Sequence, residues 1–216
     1  MLDPVLLQQI SQGGICFFQA DFPAQAGHGF FCAVGVVAVA ESCGDKAAHG
    51  GQFEGLIEAA DGSAAALVGL LSAQRFFRDV VPYRGLDVPF YKRSQLLASD
   101  LSLALGGSRL GRFDDLDRMT IFADNLVPHV LRRDGILDYA APLAEAIERD
   151  ELIRPGSEEE VEIRACAVDA VERIREAMEA VGRSASSRQL DQLLWHRGQA
   201  PAYKAAKRHR TQTVFY

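Results

Sequence analysis

Two charged side chains in this sequence stand in apolar surroundings, and each is of a type that can act on a ligand. Asp124 lies in Met119-Thr-Ile-Phe-Ala-Asp-Asn-Leu-Val-Pro-His129, an almost wholly apolar run. Proline cannot continue a helix without losing a hydrogen bond, so the chain is expected to kink or restart between Asp124 and Pro128. A carboxylate at such a break either caps the turn that follows or points into a cleft. Lys92 precedes Leu96 and Leu103 by four and eleven residues, so its stem runs along the apolar side of a helix. Its ammonium either snorkels to solvent or sits at a cleft mouth, near an anionic group of a ligand. A third place is the end of the chain. After Asp191 there is no acid, while Arg197, Lys204, Lys207, Arg208 and Arg210 follow. His209, between arginines, reads either as part of a solvated basic cluster or as a catalytic acid.

The elements that must position these groups are helical in pattern. Phe53, Leu56, Ile57 and Ala60 make one apolar face, and Asp61-Gly62-Ser63 breaks and recaps the chain before Ala64–Leu71. Pro89 suits the first turn of a helix that Gly106-Gly107 ends, and Lys92 lies on it. Asp117 can cap a helix carrying Met119, Ile121 and Phe122 up to Asp124. Another starts near Pro128 and ends at Gly135, and another spans Pro142–Arg149. Ser157-Glu-Glu-Glu160 is a capping box opening a long helix with a buried stripe from Val161 to Val181 and a stop at Gly182. Glu162, Arg164, Asp169, Glu172, Arg173 and Glu176 are its expected solvated face. Ser187 can cap a last helix, Arg188 to Arg197, where Trp195 reads as a core anchor. The sum is an all-α fold, a multi-helix single domain over residues 51–216, behind a divergent segment over 1–50. In that segment Leu2–Ile10 can form a short helix, and Phe30–Ala40 fits either a strand or a helix.

Composition sets limits on function. With 216 residues, 48% of them hydrophobic and 24% charged, the chain is long enough for one sizeable core and reads as a soluble globular protein. The net charge of −6 argues against nucleic-acid binding. It is uneven: residues 1–74 hold one base against seven acids, and the remaining 22 bases and 22 acids balance. Cys16, Cys32, Cys43 and Cys166 show no CxxC pair and no histidine at zinc-finger spacing, so no metal is expected and the thiols are expected to be reduced, in a cytoplasm. Phe30–Ala40 is too short to span a bilayer. No glycine-rich phosphate loop is present.

Five motifs occur in an order that resembles a known family. They are Phe90-Tyr-Lys-Arg-Ser-Gln95, Thr120-Ile-Phe-Ala-Asp124 with Val127-Pro128, Glu160-Val-Glu-Ile-Arg-Ala165, Asp191 with Leu194-Trp195, and the closing His209-Arg-Thr-Gln-Thr-Val-Phe-Tyr216. From about Gly51 to Tyr216 the sequence is similar to the queuosine salvage proteins, the queuosine 5′-phosphate N-glycosidases. The resemblance implies an all-helical fold like that of helix-hairpin-helix DNA glycosylases, and hydrolysis of queuosine 5′-phosphate to free queuine for tRNA modification. It implies a small-molecule substrate and no cofactor, metal, nucleic-acid partner or membrane.

The resemblance also assigns roles. Asp124 would be the catalytic carboxylate, stabilising positive charge on the ribose ring or attacking as a nucleophile. Phe122 would stack on or wall the base, and Asp191 would accept hydrogen bonds from it. Tyr91 and Lys92 are substrate-binding candidates, Lys92 near the sugar-phosphate end. The charge of the tail makes Lys207, Arg208, His209 and Arg210 candidates for holding the 5′-phosphate. The chain also departs from the pattern. A family acid five residues after the position of Asp191 is here His196, which stands as a binding candidate in its place. Asn125-Leu126 and His129 replace Tyr-Arg and glutamine. Family members carry a longer front, including a histidine that contacts the base, for which residues 1–50 offer only His28 and His49. The alternative reading is therefore a catalytically impaired protein that binds the nucleotide or queuine. A DNA glycosylase is a more distant third, since an acidic chain lacks the surface that duplex DNA needs.

Overall fold

The computed structural model describes residues 15–17, 53–106 and 108–216. The expected short helix Leu2–Ile10, the run Phe30–Ala40, His28 and His49 lie outside the described residues. Helices dominate: α1 (Phe53–Ala59), α2 (Ala64–Ser72), α3 (Lys92–Leu105), α4 (Val127–Arg133), α5 (Ala141–Glu148), α6 (Glu158–Ala180), α7 (Ser187–Gly198) and the single turn α8 (Pro201–Lys204).

The all-α expectation is overturned. The fold is mixed α/β, with two antiparallel strand pairs among the described residues. β2 (Val80–Tyr83) and β3 (Leu86–Pro89) form a hairpin in the register Val81↔Val88 and Tyr83↔Leu86. Its two turn residues, Arg84 and Gly85, both take positive φ, 48° and 83°, the geometry that matches the twist of a two-residue hairpin. Val81, Tyr83 and Val88 are buried. The short period-two pattern is obscured by Pro82 and Pro89, which a two-stranded ribbon tolerates. Pro89 thus ends a strand and does not open α3. The second pair joins β1 (Ile15–Phe17) to β4 (Leu137–Tyr139).

Several helix boundaries follow from caps. The Ser63 side chain accepts from Ala66 N at the start of α2, after Asp61 and Gly62 at positive φ. Ser186, one residue before the expected cap, makes a capping box with Gln189 at α7. Gly135 and Gly182, both at φ 74°, follow the ends of α4 and α6. Two further corrections bear on function. The helix expected from Met119 to Asp124 is absent: a 3-10 turn at Leu116–Arg118 gives way to irregular chain up to α4. Glu162 and Arg164, expected in a solvated face, are buried, because the hairpin and the end of the chain cover that side of α6. Val181, expected in its buried stripe, is exposed.

Buried side chains form two apolar clusters. One gathers α1, α2 and α3 with Phe113, Met119 and Phe122. The other gathers the hairpin, α4, β4, α6 and α7 with Ile121 and Ala123. Residues 119–126 therefore run along the seam, giving Met119 and Phe122 to one core and Ile121, Ala123 and Leu126 to the other. On one side of it α7 lies close against α4. A Cβ added at Gly198 would come within 2.9 Å of both Leu126 and Val130. Gly198→Val is expected to destabilise the protein by about 1–3 kcal/mol, read from a urea melt. An unchanged midpoint would show that this crossing is loose.

Candidate functional site

The seam opens into a cavity of about 160 Å³. Helix α3 gives it Lys92, Leu96 and Asp100, at i, i+4 and i+8 on one face. Helix α7 gives Arg188, Asp191 and Trp195, at i, i+3 and i+7. Phe122 and Asp124 come from the irregular segment. A second hollow of about 570 Å³ shares Asp124 and Trp195 with the first and is lined by His129, Tyr203, Lys204 and Arg208. Asp124 stands on the boundary of both.

Asp124 does both things that its sequence setting allowed. Its Oδ1 accepts from Leu126 N at 2.7 Å and Val127 N at 3.2 Å, capping the turn that Pro128 opens. Its Oδ2 lies 3.9 Å from Lys92 Nζ, inside the cavity. One oxygen is thus tied to the main chain, and the other faces Lys92 and the cavity. Lys92 is placed by the first turn of α3, where its N–H donates to Asp79 Oδ2 at 3.1 Å.

Asp191 is 5% exposed, and its Oδ1 accepts from Phe122 N at 2.8 Å. Burial pushes its carboxyl up to about 7; the Phe122 N–H pulls the other way, and Asp124 adds to the rise. The group is thus divided between acid and carboxylate near neutrality. The folded chain holds this proton up to about 7, whereas the unfolded chain releases it near 3.8. Stability is therefore lost as pH rises from about 4 to about 7, and stays reduced above. Asp191→Asn keeps the acceptor for Phe122. Its melting temperature relative to wild type is expected to rise between pH 5 and pH 8, by roughly 2–4 °C for each kcal/mol involved. A difference that shrinks over that range would refute the buried-acid assignment.

Among the described residues no strand pairs with the segment that carries Asp124; side chains hold it. Thr120 N donates to Gln95 Oε1 at 3.0 Å, and the Ala123 carbonyl accepts from Arg164 Nε at 3.0 Å. Asn125 exchanges hydrogen bonds with the Thr211 main chain. Arg164, 1% exposed, is the hub. Its guanidinium meets Asp79 at 2.5 and 2.9 Å and Glu160 at 3.2 Å, and lies between the rings of Phe90 and Tyr216. Asp79 in turn holds the start of α3, so one buried network orients both Lys92 and Asp124.

The remaining sequence candidates divide. His209 is not in a solvated cluster. It is 3% exposed, its ring is hydrogen-bonded to the Asp124 main chain, and burial pushes it down to about 3, so it stays neutral beneath the site. Arg208 lines the second hollow, but Arg210 donates to the Asp150 carbonyl and Lys207 pairs with the Asp150 carboxylate, away from it. Tyr91, at φ 48°, lines a separate hollow with Pro89 and Thr120. His196 packs edge-on against Trp195, outside the lining of both cavities. Sequence reasoning missed Asp100, Arg188 and the wall role of Trp195. Their helical phase with Lys92 and Asp191 was the available signal. Among the described residues no three histidine, cysteine or acidic side chains converge to hold a metal ion, and no helix is long and apolar enough to cross a membrane.

A sequence profile of the queuosine salvage protein family matches residues 39–216, and the chain belongs to that family. The resemblance carried by the five motifs is borne out, and the matched region starts before Gly51. Among its relatives, a queuosine 5′-phosphate N-glycosylase/hydrolase of Sphaerobacter thermophilus is 48% identical over 167 residues, which is 77% of this chain and 52% of the relative. Proteins of the same name from Dictyostelium discoideum and Bos taurus are 38% and 34% identical, with the same coverage. The chain spans about half the length of the curated relatives it matches.

Proposed function

We propose that the chain hydrolyses the N-glycosidic bond of queuosine 5′-phosphate, releasing queuine in a cytoplasmic salvage step. The observation that carries this reading is the Asp124 carboxylate, fixed through one oxygen and open through the other, on the boundary of two adjoining cavities. The first cavity, with Phe122 and the divided Asp191, suits a base that offers both hydrogen-bond donors and a carbonyl. The second, with Arg208, Lys204 and His129, suits a phosphate. The ribose C1′ then falls between them, beside Asp124.

As the C1′–N bond lengthens, positive charge builds on the ribose ring, and the Asp124 carboxylate stabilises it in a site with little water. Water adds at C1′ and gives up a proton, and the departing base takes one. A 7-deazapurine has no ring nitrogen at position 7 to accept it, so help must come at its carbonyl and amide edge. Asp191 in its acid form can donate there, and in its carboxylate form it accepts from the N–H groups. Lys92 keeps its ammonium toward the sugar-phosphate side.

Incubation of the purified chain with queuosine 5′-phosphate, followed by mass spectrometry for free queuine, tests the reading. Release supports it. Intact nucleotide with folded protein rejects it and leaves a second reading, a binding protein without turnover. That second reading is favoured by one observation, the half-length coverage of the relatives. It requires a measurable affinity for the nucleotide or queuine.

A further inference from the structure

One carboxylate of the cavity has no task in the hydrolysis above. Asp100 lies on α3 at i+8 from Lys92, on the same face, and lines the cavity half-buried. It makes no hydrogen bond or ion pair with any of the described residues. The two cations nearby are turned elsewhere: Lys92 Nζ toward Asp124 at 3.9 Å, and Arg188 Nη1 toward Ser99 Oγ at 3.5 Å. Burial raises the Asp100 carboxyl above its ordinary range, and the Lys92 ammonium opposes that. A half-buried carboxylate with no ion-pair contact, helped only at a distance by Lys92, gains from a cation that arrives with the ligand. On its own helix two aliphatic side chains of the lining flank it, Leu96 one turn before and Leu103 one turn after. Leu103 is 58% exposed, a large aliphatic side chain left at a cavity mouth.

Position along the helix decides which part of a ligand reaches Asp100. Eight residues advance about 12 Å along an α-helix. Asp100 therefore stands two turns along α3 from Lys92, the residue whose ammonium faces Asp124. Queuine carries, on the carbon that replaces the purine N7, an aminomethyl group bearing a cyclopentenediol. Its secondary amine is protonated at neutral pH. With C1′ beside Asp124 and the base against Phe122, that substituent extends along α3.

We propose that Asp100 is a specificity-determining residue, pairing with the cationic aminomethyl substituent of the base while Leu96 and Leu103 flank its cyclopentene ring. This rests on the nucleotide reading of the cavity. It makes the site selective for a substituted 7-deazaguanine over the bare base, because only the substituted one brings the missing charge.

Calorimetric titration of the full chain with two free bases, queuine and 7-deazaguanine, tests it without needing turnover. The wild type is expected to prefer queuine by about 10- to 100-fold, the range for a hydrogen bond to a charged group. Asp100→Asn is expected to cut that preference at least about tenfold, leaving only what the contacts of Leu96 and Leu103 with the ring provide. Asp100 lies on the solvent-accessible side of a helix, and a thermal melt checks that the variant folds. A preserved ratio in Asp100→Asn, or wild-type protein that binds both bases equally, overturns the proposal and leaves the nucleotide site standing. Wild-type protein that binds neither base rejects the site and the proposal together.

Discussion

Replacing Asp124 with asparagine is expected to lower queuine release from queuosine 5′-phosphate by at least about 100-fold, the usual loss when a preorganised charge is removed from a transition state. The melting temperature should hardly move. Asparagine is as good a cap as aspartate, and its Oδ1 can still accept from Leu126 N and Val127 N. What disappears is the negative charge on the side that faces Lys92 and the cavity. The variant therefore separates the two jobs of this side chain, whereas alanine would remove both. Steady-state rates with the nucleotide, beside a thermal melt, give the answer. Equal rates in wild type and variant would sink the assignment of Asp124 as the reacting carboxylate. A large drop in melting temperature would instead mean that its charge, and not only its cap, holds the turn.

The second large effect is expected at Arg164. Arg164→Met keeps most of the volume but leaves the carboxylates of Asp79 and Glu160 buried without a cation. Removing one partner of such a pair costs about 3–5 kcal/mol. Urea unfolding should show that loss. The double variant Asp79→Leu with Arg164→Met should recover part of it, because only Glu160 is then left without its cation. Arg164→Lys is the more informative variant for function. A lysine retains the charge but not the fork that spans Asp79, Glu160 and the Ala123 carbonyl at once. The carbonyl precedes Asp124, so kcat is expected to fall more than KM rises. Arg164→Met as stable as wild type would remove the network from the account, and a lysine variant changed only in KM would remove its positioning role.

The helical part of the fold was legible because its signals are local. Serines precede the starts of α2, α6 and α7, and glycines follow the ends of α4 and α6. The hairpin was not legible, since two prolines in eight residues outweighed a weak alternation, and the Arg84-Gly85 turn is only half of the usual signal. The segment from Met119 to Asp124 misled for a different reason. Its apolar residues sit at spacings that suit one helix face, but they go to two separate cores, a fact that no local pattern carries. Asp124 and Lys92 could be singled out as charges in apolar surroundings. Asp191 and Phe122 came only from the family resemblance. Arg164 looked like one more charge on a charged helix, because its burial depends on Asp79, Tyr216 and Phe90, none of them near it in the chain. His209 misled in the same way: its neighbours are basic and exposed, but its own side chain turns inward.

The main chain just before Asp124 is held by Gln95, Arg164 and Asp191, and the Asn125 side chain just after it by Thr211, partners that lie between 25 and 86 residues away. The eleven residues from Met119 to His129 that read as the signature of the site therefore do not contain its shape. Moved into another scaffold, they would take along the acid and the proline but not the four supports that aim the acid. The unit that can be inherited or transplanted is the whole arrangement of α3, α6, α7 and the closing segment. A change in any one of these would be felt at Asp124 before it was felt at the surface.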